Sequence, residues 1–193
     1  MTPQLMPVRS VDDVIVPPLD APGTRSAAAE REAFLTLSDA LARKPETAVQ
    51  RLVEVAMRLT GSHAAGVSLE DLSGPEPVFR WVAVAGEFER YLNGTMPRHF
   101  SPCGTVLSRS AALVMRDPIR FFPYLDTLHA HVHTALLVPF AARGRLVGTL
   151  WVLQTKLGEP YCVEDVRAVE SLTTFSSSLL DALSARRGKF ETS

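Results

Sequence analysis

Two nearly all-apolar segments stand next to each other late in the chain, "TALLVPFAA" and "RLVGTLWVLQT", with only "RG" between them. Segments of strand length joined by a short polar connection containing glycine form an antiparallel hairpin. A strand with one face in water alternates apolar and polar residues, and these two do not. The hairpin must therefore be covered on both faces, and the rest of the chain has to supply both covers. Pro139, inside the first segment, has no backbone donor. It argues for an edge or bulged position, or for a place where a main-chain donor is not needed.

Helices at the two ends of the chain fit one cover. From Ser26, "SAAAEREAFLTLSDALARK" places Ala33, Leu37, Ala40 and Leu41 on one side. Pro45 restarts a helix in "PETAVQRLVEVAMRLTG", where Val49, Leu52, Val53, Ala56 and Leu59 recur at helical period and Gly61 is a C-terminal stop. A long helix from about Val163 closes the chain, with Val166, Val169, Leu172, Ser176, Leu179, Leu180 and Leu183 on its inner face. Upstream, "HAAGVSLEDL" and "VFRWVAVAG" are two further strands joined by the turn-forming "SGPEP". Between Gly86 and His133 the pattern is irregular, with short helices, and this middle is the second cover. The expected fold is α+β: an antiparallel sheet with terminal helices on one face and a ligand-pocket segment on the other. Residues 1–25, rich in Pro and Asp, read as a flexible arm, residues 26–187 as a single domain, and residues 188–193 as a tail.

A chain of 193 residues with formal net charge −1, 46% hydrophobic and 21% charged residues is expected to be one soluble domain, with no room for an output domain. That charge gives no reason to expect nucleic acid or an anionic membrane as partner. No apolar run approaches the ~20 residues of a membrane span, and the N-terminus lacks the pattern of a signal peptide. Two cysteines do not make a disulfide framework, so a reduced, cytoplasmic protein is expected.

The segment from Leu136 to Leu183 resembles the last third of a GAF domain. The matching features are Pro139 in the first strand, Gly144 in the hairpin, Gly148 with Leu150 in the second strand, Tyr161, and Glu164 with Asp165 before the long helix. "FSPCGTVLSRSAALVMRDP" is similar to the family's mid-domain helix leading into a short strand, and the likeness spans roughly Glu32 to Leu183. The resemblance implies a ligand-sensing or regulatory module, with members that bind cyclic nucleotides, tetrapyrroles, haem, metal clusters or small metabolites, and that often dimerise through their terminal helices. Marks of particular subfamilies are missing. There is no Asn-Lys-x-Asp pattern and no Asp-Ile-Pro segment beyond an echo in "RDP". Gly104, where many cyanobacteriochromes have His, follows Cys103. The methionine sulfoxide reductase relatives use several cysteines, and this chain has two.

Ser101 is an N-cap, Pro102 suits the first helical position, and Cys103 follows, where the helix dipole would acidify a thiol. Against this stands packing of a small residue at a tight helix start, with Gly104 allowing close approach. A third possibility is that the N–H groups of Ser101 to Thr105 hold an anionic ligand group. His129, His131 and His133 in "LHAHVHTALL" would share a face if extended and would then suit a metal; if helical, only His129 and His133 share one. Asp126 is the nearby acid in sequence. Trp81 and Trp151 lie on strands, and Phe100, Phe121, Phe122 and Tyr124 in the cover, so they either sandwich a flat ligand or form core.

These readings assign a ligand site to Trp81, Phe100, Ser101, Cys103, Gly104, Phe121, Tyr124, His131 and Trp151, no catalytic residue and no metal ligand, with the cofactor unknown. The expected function is a non-enzymatic small-molecule sensor that signals through its terminal helices, as a homodimer or to a partner such as a histidine kinase. Three alternatives stand beside it: a thiol oxidoreductase of the methionine sulfoxide reductase kind using Cys103, a bilin photoreceptor, and a ligand-free dimerisation scaffold.

Overall fold

The computed structural model describes residues 8–20, 27–128, 131–142, 144–158 and 161–190, with side chains through residue 178. The hairpin is as expected. β6 (Thr134–Ala142) and β7 (Arg145–Gln154) pair antiparallel, with Gly144 in the turn at φ 68°. β2 (Ala64–Asp71) and β3 (Val78–Gly86) form the second hairpin, and β2 pairs with β7. Three short strands complete the sheet: β1 (Ile15–Val16), β4 (Thr95–Pro97) and β5 (Leu113–Arg116). All pairings are antiparallel, and the order is β1-β5-β6-β7-β2-β3-β4. Pro139 lies past Leu137, the last β6 residue paired to β5, and directly before a register irregularity at Phe140/Ala141. β6 is thus one-sided there, and the missing donor costs no ladder bond.

One face of the sheet carries the helices. α1 (Ala27–Arg43) buries Ala33, Leu37 and Leu41, and α2 (Ala48–Leu59) buries Leu52, Val53 and Ala56. α4 (Val163–Phe190) buries Val169, Leu172 and Ser176 on the predicted side; Leu179, Leu180 and Leu183 lie outside the described side chains. Phe34 of α1 meets Phe175 of α4 edge to face at 5.4 Å. These helices share a core with Val67, Leu136, Val138, Leu150 and Val152 of the sheet. The opposite face holds a second core, roofed by the segment from Phe88 to Val132, which includes α3 (Pro102–Arg109) and 3-10 turns at Glu89–Tyr91, Pro118–Arg120 and Pro123–Leu128.

The N-terminal stretch differs from the expected flexible arm over residues 8–20. Ser10 caps a 3-10 turn at Val11–Asp13, Val14 is buried, and Ile15–Val16 pair with Met115 and Val114. Leu19 N–H donates to the Tyr161 carbonyl at 2.9 Å, and Val163 N–H donates to the Leu19 carbonyl at 3.0 Å. The prolines that bar this stretch from a central strand leave an edge open, because an edge strand bonds on one side only. No helix of the described residues is long and apolar enough to cross a membrane.

Candidate functional site

A cavity of about 40 Å³ lies between the second core's sheet face and its roof. Its floor is Trp81 of β3, Ala135 and Leu137 of β6, and Trp151 and Leu153 of β7. Cross-strand partners account for the floor: Leu137 opposes Trp151 and Ala135 opposes Leu153. Two backbone features aim the tryptophans. Val67 pairs with Ala83 but Ser68 pairs with Trp81, so Val82 is an extra residue that switches the phase of β3. Trp81 therefore joins the cavity face while Ala83 joins the helix face. Gly66, opposite Trp151, leaves room for the indole to cross β2; a Cβ there would lie 2.2 Å from Trp151 Cζ2. The two indoles meet edge to face at 5.7 Å.

The roof is Phe88, Met96, Pro102, Cys103, Pro118, Leu125, Leu128 and Val132. The Tyr91 hydroxyl donates to the Leu128 carbonyl and ties one part of the roof to another. At α3, Ser101 is the predicted N-cap: its buried Oγ accepts from Gly104 N–H at 3.0 Å. Gly104 packs so close that a Cβ would lie 2.2 Å from the Arg98 carbonyl oxygen. With Gly104 N–H bound to Ser101 Oγ and Thr105 N–H to the Ser101 carbonyl, those two groups are not available to an anion.

At Cys103, of the readings open from sequence, the surroundings favour packing over an acidified thiol. The residue is 1% exposed, and desolvation pushes its pKa up despite the hydroxyls of Thr149 and Ser68 beside it. Thr149 Oγ1 donates to Cys103 Sγ at 3.1 Å, and Trp151 Nε1 donates to Ser68 Oγ at 2.9 Å. The thiol is a neutral member of a buried polar patch that docks α3 on the sheet. Cys162 is also buried with a free thiol.

Two polar atoms stand out in this otherwise apolar core. Trp81 Nε1 and Tyr124 Oη are, among the described residues, the buried side-chain N and O atoms without a hydrogen-bond partner. Tyr124 lies near enough to Cys103 for a thiolate there to raise its pKa, although burial is the larger cause of its upward shift. Phe100, Phe121, Phe122 and Tyr124 form their own aromatic cluster, with Phe100 5.1 Å from Phe122 and itself 45% exposed.

Of the residues assigned from sequence, Trp81, Cys103 and Trp151 line the cavity. Ser101 and Gly104 shape α3 behind it, Phe121 and Tyr124 pack against the second core without lining the cavity, and Phe100 reaches that core through its ring contacts. His131 lies outside, exposed and 3.2 Å from Asp117 Oδ1. His129 lies outside the described residues. The wall residues that sequence reasoning missed include Leu137 and Leu153. Same-face alternation from Trp151, applied across the hairpin, was the signal that finds them. Asp117, rather than Asp126, is the acid beside the histidines.

The model of the GAF domain family matches residues 44–179. The Stigmatella aurantiaca phytochrome photosensory core module has TM-score 0.65 at 20% identity, over 83% of this chain and 38% of that one. The GAF domain of a phosphoenolpyruvate-protein phosphotransferase from Coxiella burnetii has TM-score 0.66 at 17% identity, over 86% and 99%. The GAF-B domain of DevS from Mycobacterium smegmatis has TM-score 0.62 at 18% identity, over 76% and 99%. The chain spans 38% and 59% of the first two phytochrome structures. At these identities the likeness establishes the fold. No curated protein matches the sequence.

Proposed function

Because this chain belongs to the GAF domain family, whose members are sensory and regulatory modules, we propose that it is a non-enzymatic sensor. Its ligand is a small, mostly apolar molecule with one hydrogen-bond acceptor, taken up between the sheet and the roof. The observation that carries this reading is a pair of unpartnered buried donors in the second core, Trp81 Nε1, whose residue lines the apolar cavity, and Tyr124 Oη, whose residue packs against the same core. A buried donor without a partner costs about 1–3 kcal/mol, which a ligand oxygen would recover. Ordinary ligand sites measure roughly 300–1,000 Å³, against about 40 Å³ here. A molecule of more than a few heavy atoms therefore enters only as the roof moves outward and the Tyr91–Leu128 tie opens. The movement would pass through the sheet to α1, α2 and α4, and from them to a second copy or to a cytoplasmic signalling partner such as a histidine kinase.

The raised pKa of Cys103 argues against a thiol oxidoreductase, and the cavity volume against a bilin. The ligand-free scaffold is the second reading, favoured by the close packing of Trp81, Phe88 and Trp151. Both tryptophans of the chain line the cavity, so intrinsic fluorescence reports directly on it. Native mass spectrometry of protein purified without added ligand, followed by a metabolite screen read by tryptophan emission, tests the sensor. The expected result is a bound mass or an emission shift, weakened roughly tenfold in Trp81→Phe, which deletes the donor. Emission indifferent to every compound, with no bound mass, would leave the scaffold.

A further inference from the structure

We propose that Asp117, His131 and His133 form a binding site for a divalent first-row transition-metal ion of the Zn²⁺ class, at the open end of the β5–β6 pair. β5 and β6 end with Arg116 opposite Thr134, and the ladder runs one step further, since Asp117 N–H donates to the His133 carbonyl at 2.8 Å. Asp117 and His133 are thereby fixed face to face on two strand ends. His131, two residues before His133, brings a second imidazole to the same acid, with ring centroids 4.3 Å apart.

His131 and Asp117 share a hydrogen bond, and His133 stands beyond hydrogen-bond reach of the same carboxylate oxygen. His131 Nε2 and His133 Nδ1 lie 3.2 and 3.7 Å from the same Asp117 Oδ1, and ligand atoms of all three residues fall within 4.8 Å of one another. At 3.7 Å the second imidazole is too far for a hydrogen bond. Metal bonds of about 2.0–2.1 Å in tetrahedral geometry separate ligand atoms by roughly 3.3 Å, so two of the three edges are close to closed. The third, between the two imidazoles, is at most 4.8 Å and has to shorten as the ion binds. Asp117 sits at the start of a 3-10 turn in left-handed conformation, φ 45°, yet its carboxylate makes no capping bond and is turned to the histidines. Two imidazoles and one carboxylate suit Zn²⁺, Co²⁺ or Ni²⁺ rather than Mg²⁺ or Ca²⁺. The His131 side chain is 47% exposed, which gives the ion a path in from solvent and leaves room for water as a fourth ligand.

The site is separate from the cavity, but Pro118 and Val132, chain neighbours of its ligands, belong to the roof. An ion would pin that part of the roof to the sheet; this last consequence alone rests on the sensor reading.

The test is equilibrium dialysis of the full chain against Zn²⁺ with metal quantified by mass spectrometry, and titration with Co²⁺ read by its visible bands. One ion per chain is expected, with tetrahedral-type Co²⁺ absorption displaced by Zn²⁺. Affinity should fall at least about tenfold in each of His131→Ala, His133→Ala and Asp117→Asn. Asparagine keeps the shape and tolerates the left-handed backbone, and circular dichroism checks that each variant folds. No uptake by the wild type at tens of micromolar Zn²⁺ overturns the proposal. So does wild-type uptake by the triple variant, which would place the ion on other residues. Neither result bears on the tryptophan-lined cavity.

Discussion

Burial decides the chemistry of Cys103 against its position in the helix. A second place in α3 lowers a thiol pKa when the sulfur is solvated, but here the sulfur is enclosed between α3 and the sheet and the charged form loses its hydration. Tyr124 and Tyr161 are pushed up for the same reason. Below the ordinary cysteine value of 9.0 the folded and unfolded chains hold these protons equally. As pH rises through that value the unfolded chain releases protons that the folded chain keeps, so stability falls. The urea midpoint should be flat from about pH 7 to 8 and should decline above about 9. Cys103→Ala should make that decline shallower; an equally steep fall would mean that the thiol ionises as freely in the folded protein. Sequence revealed the helix start but not the sulfur's surroundings, because Thr149 and Ser68 come to it from two other strands. Asp117 was obscured for a similar reason. Its histidines are near in space through strand pairing, while Asp126 is the acid nearer in sequence.

At the scale of single elements, α3 has one side-chain cap at its N-terminus. Ser101→Ala removes the acceptor for Gly104 N–H in a buried place, and the expected loss is about 1 kcal/mol, measured by chemical denaturation. A cost near zero would mean that another group takes over the cap. Long elements with their own periodicity were legible: α1, α2 and α4, and the four long strands with their hairpins. β1 and β4, two and three residues long, carry no period of their own and exist because a neighbouring strand offers partners. The bulge at Val82 was hidden in another way. Strict alternation along "VFRWVAVAG" puts Trp81, Ala83 and Ala85 on one face, whereas the extra residue sends Trp81 to the cavity and the alanines to the helices. Small alanines suit contact with α2, and nothing in the segment itself says so.

The whole molecule is a sheet between two separate cores, and they should differ in what they tolerate. Leu37→Ala, at a fully buried position of α1 in the helix-side core, should cost about 2–5 kcal/mol. Leu35→Ala, two residues away and 64% exposed, should change the denaturation midpoint little. Equal effects would mean that α1 is not seated as described. The plan of one face for helices and one for the roof followed from the all-apolar hairpin. The identity of the roof's wall residues did not, because irregular chain has no period to read. The sheet's margins have a consequence of their own. Any sheet that ends in water risks recruiting further chains along its free edge. β4 is brief and ends in Pro97, which has no N–H to offer. At the other margin, Ile15 and Val16 cover β5, whose "LVMR" would otherwise present open backbone beside apolar side chains. A stretch that lines no part of the cavity thus replaces a four-residue edge with a two-residue one, which offers a further chain less backbone to pair with.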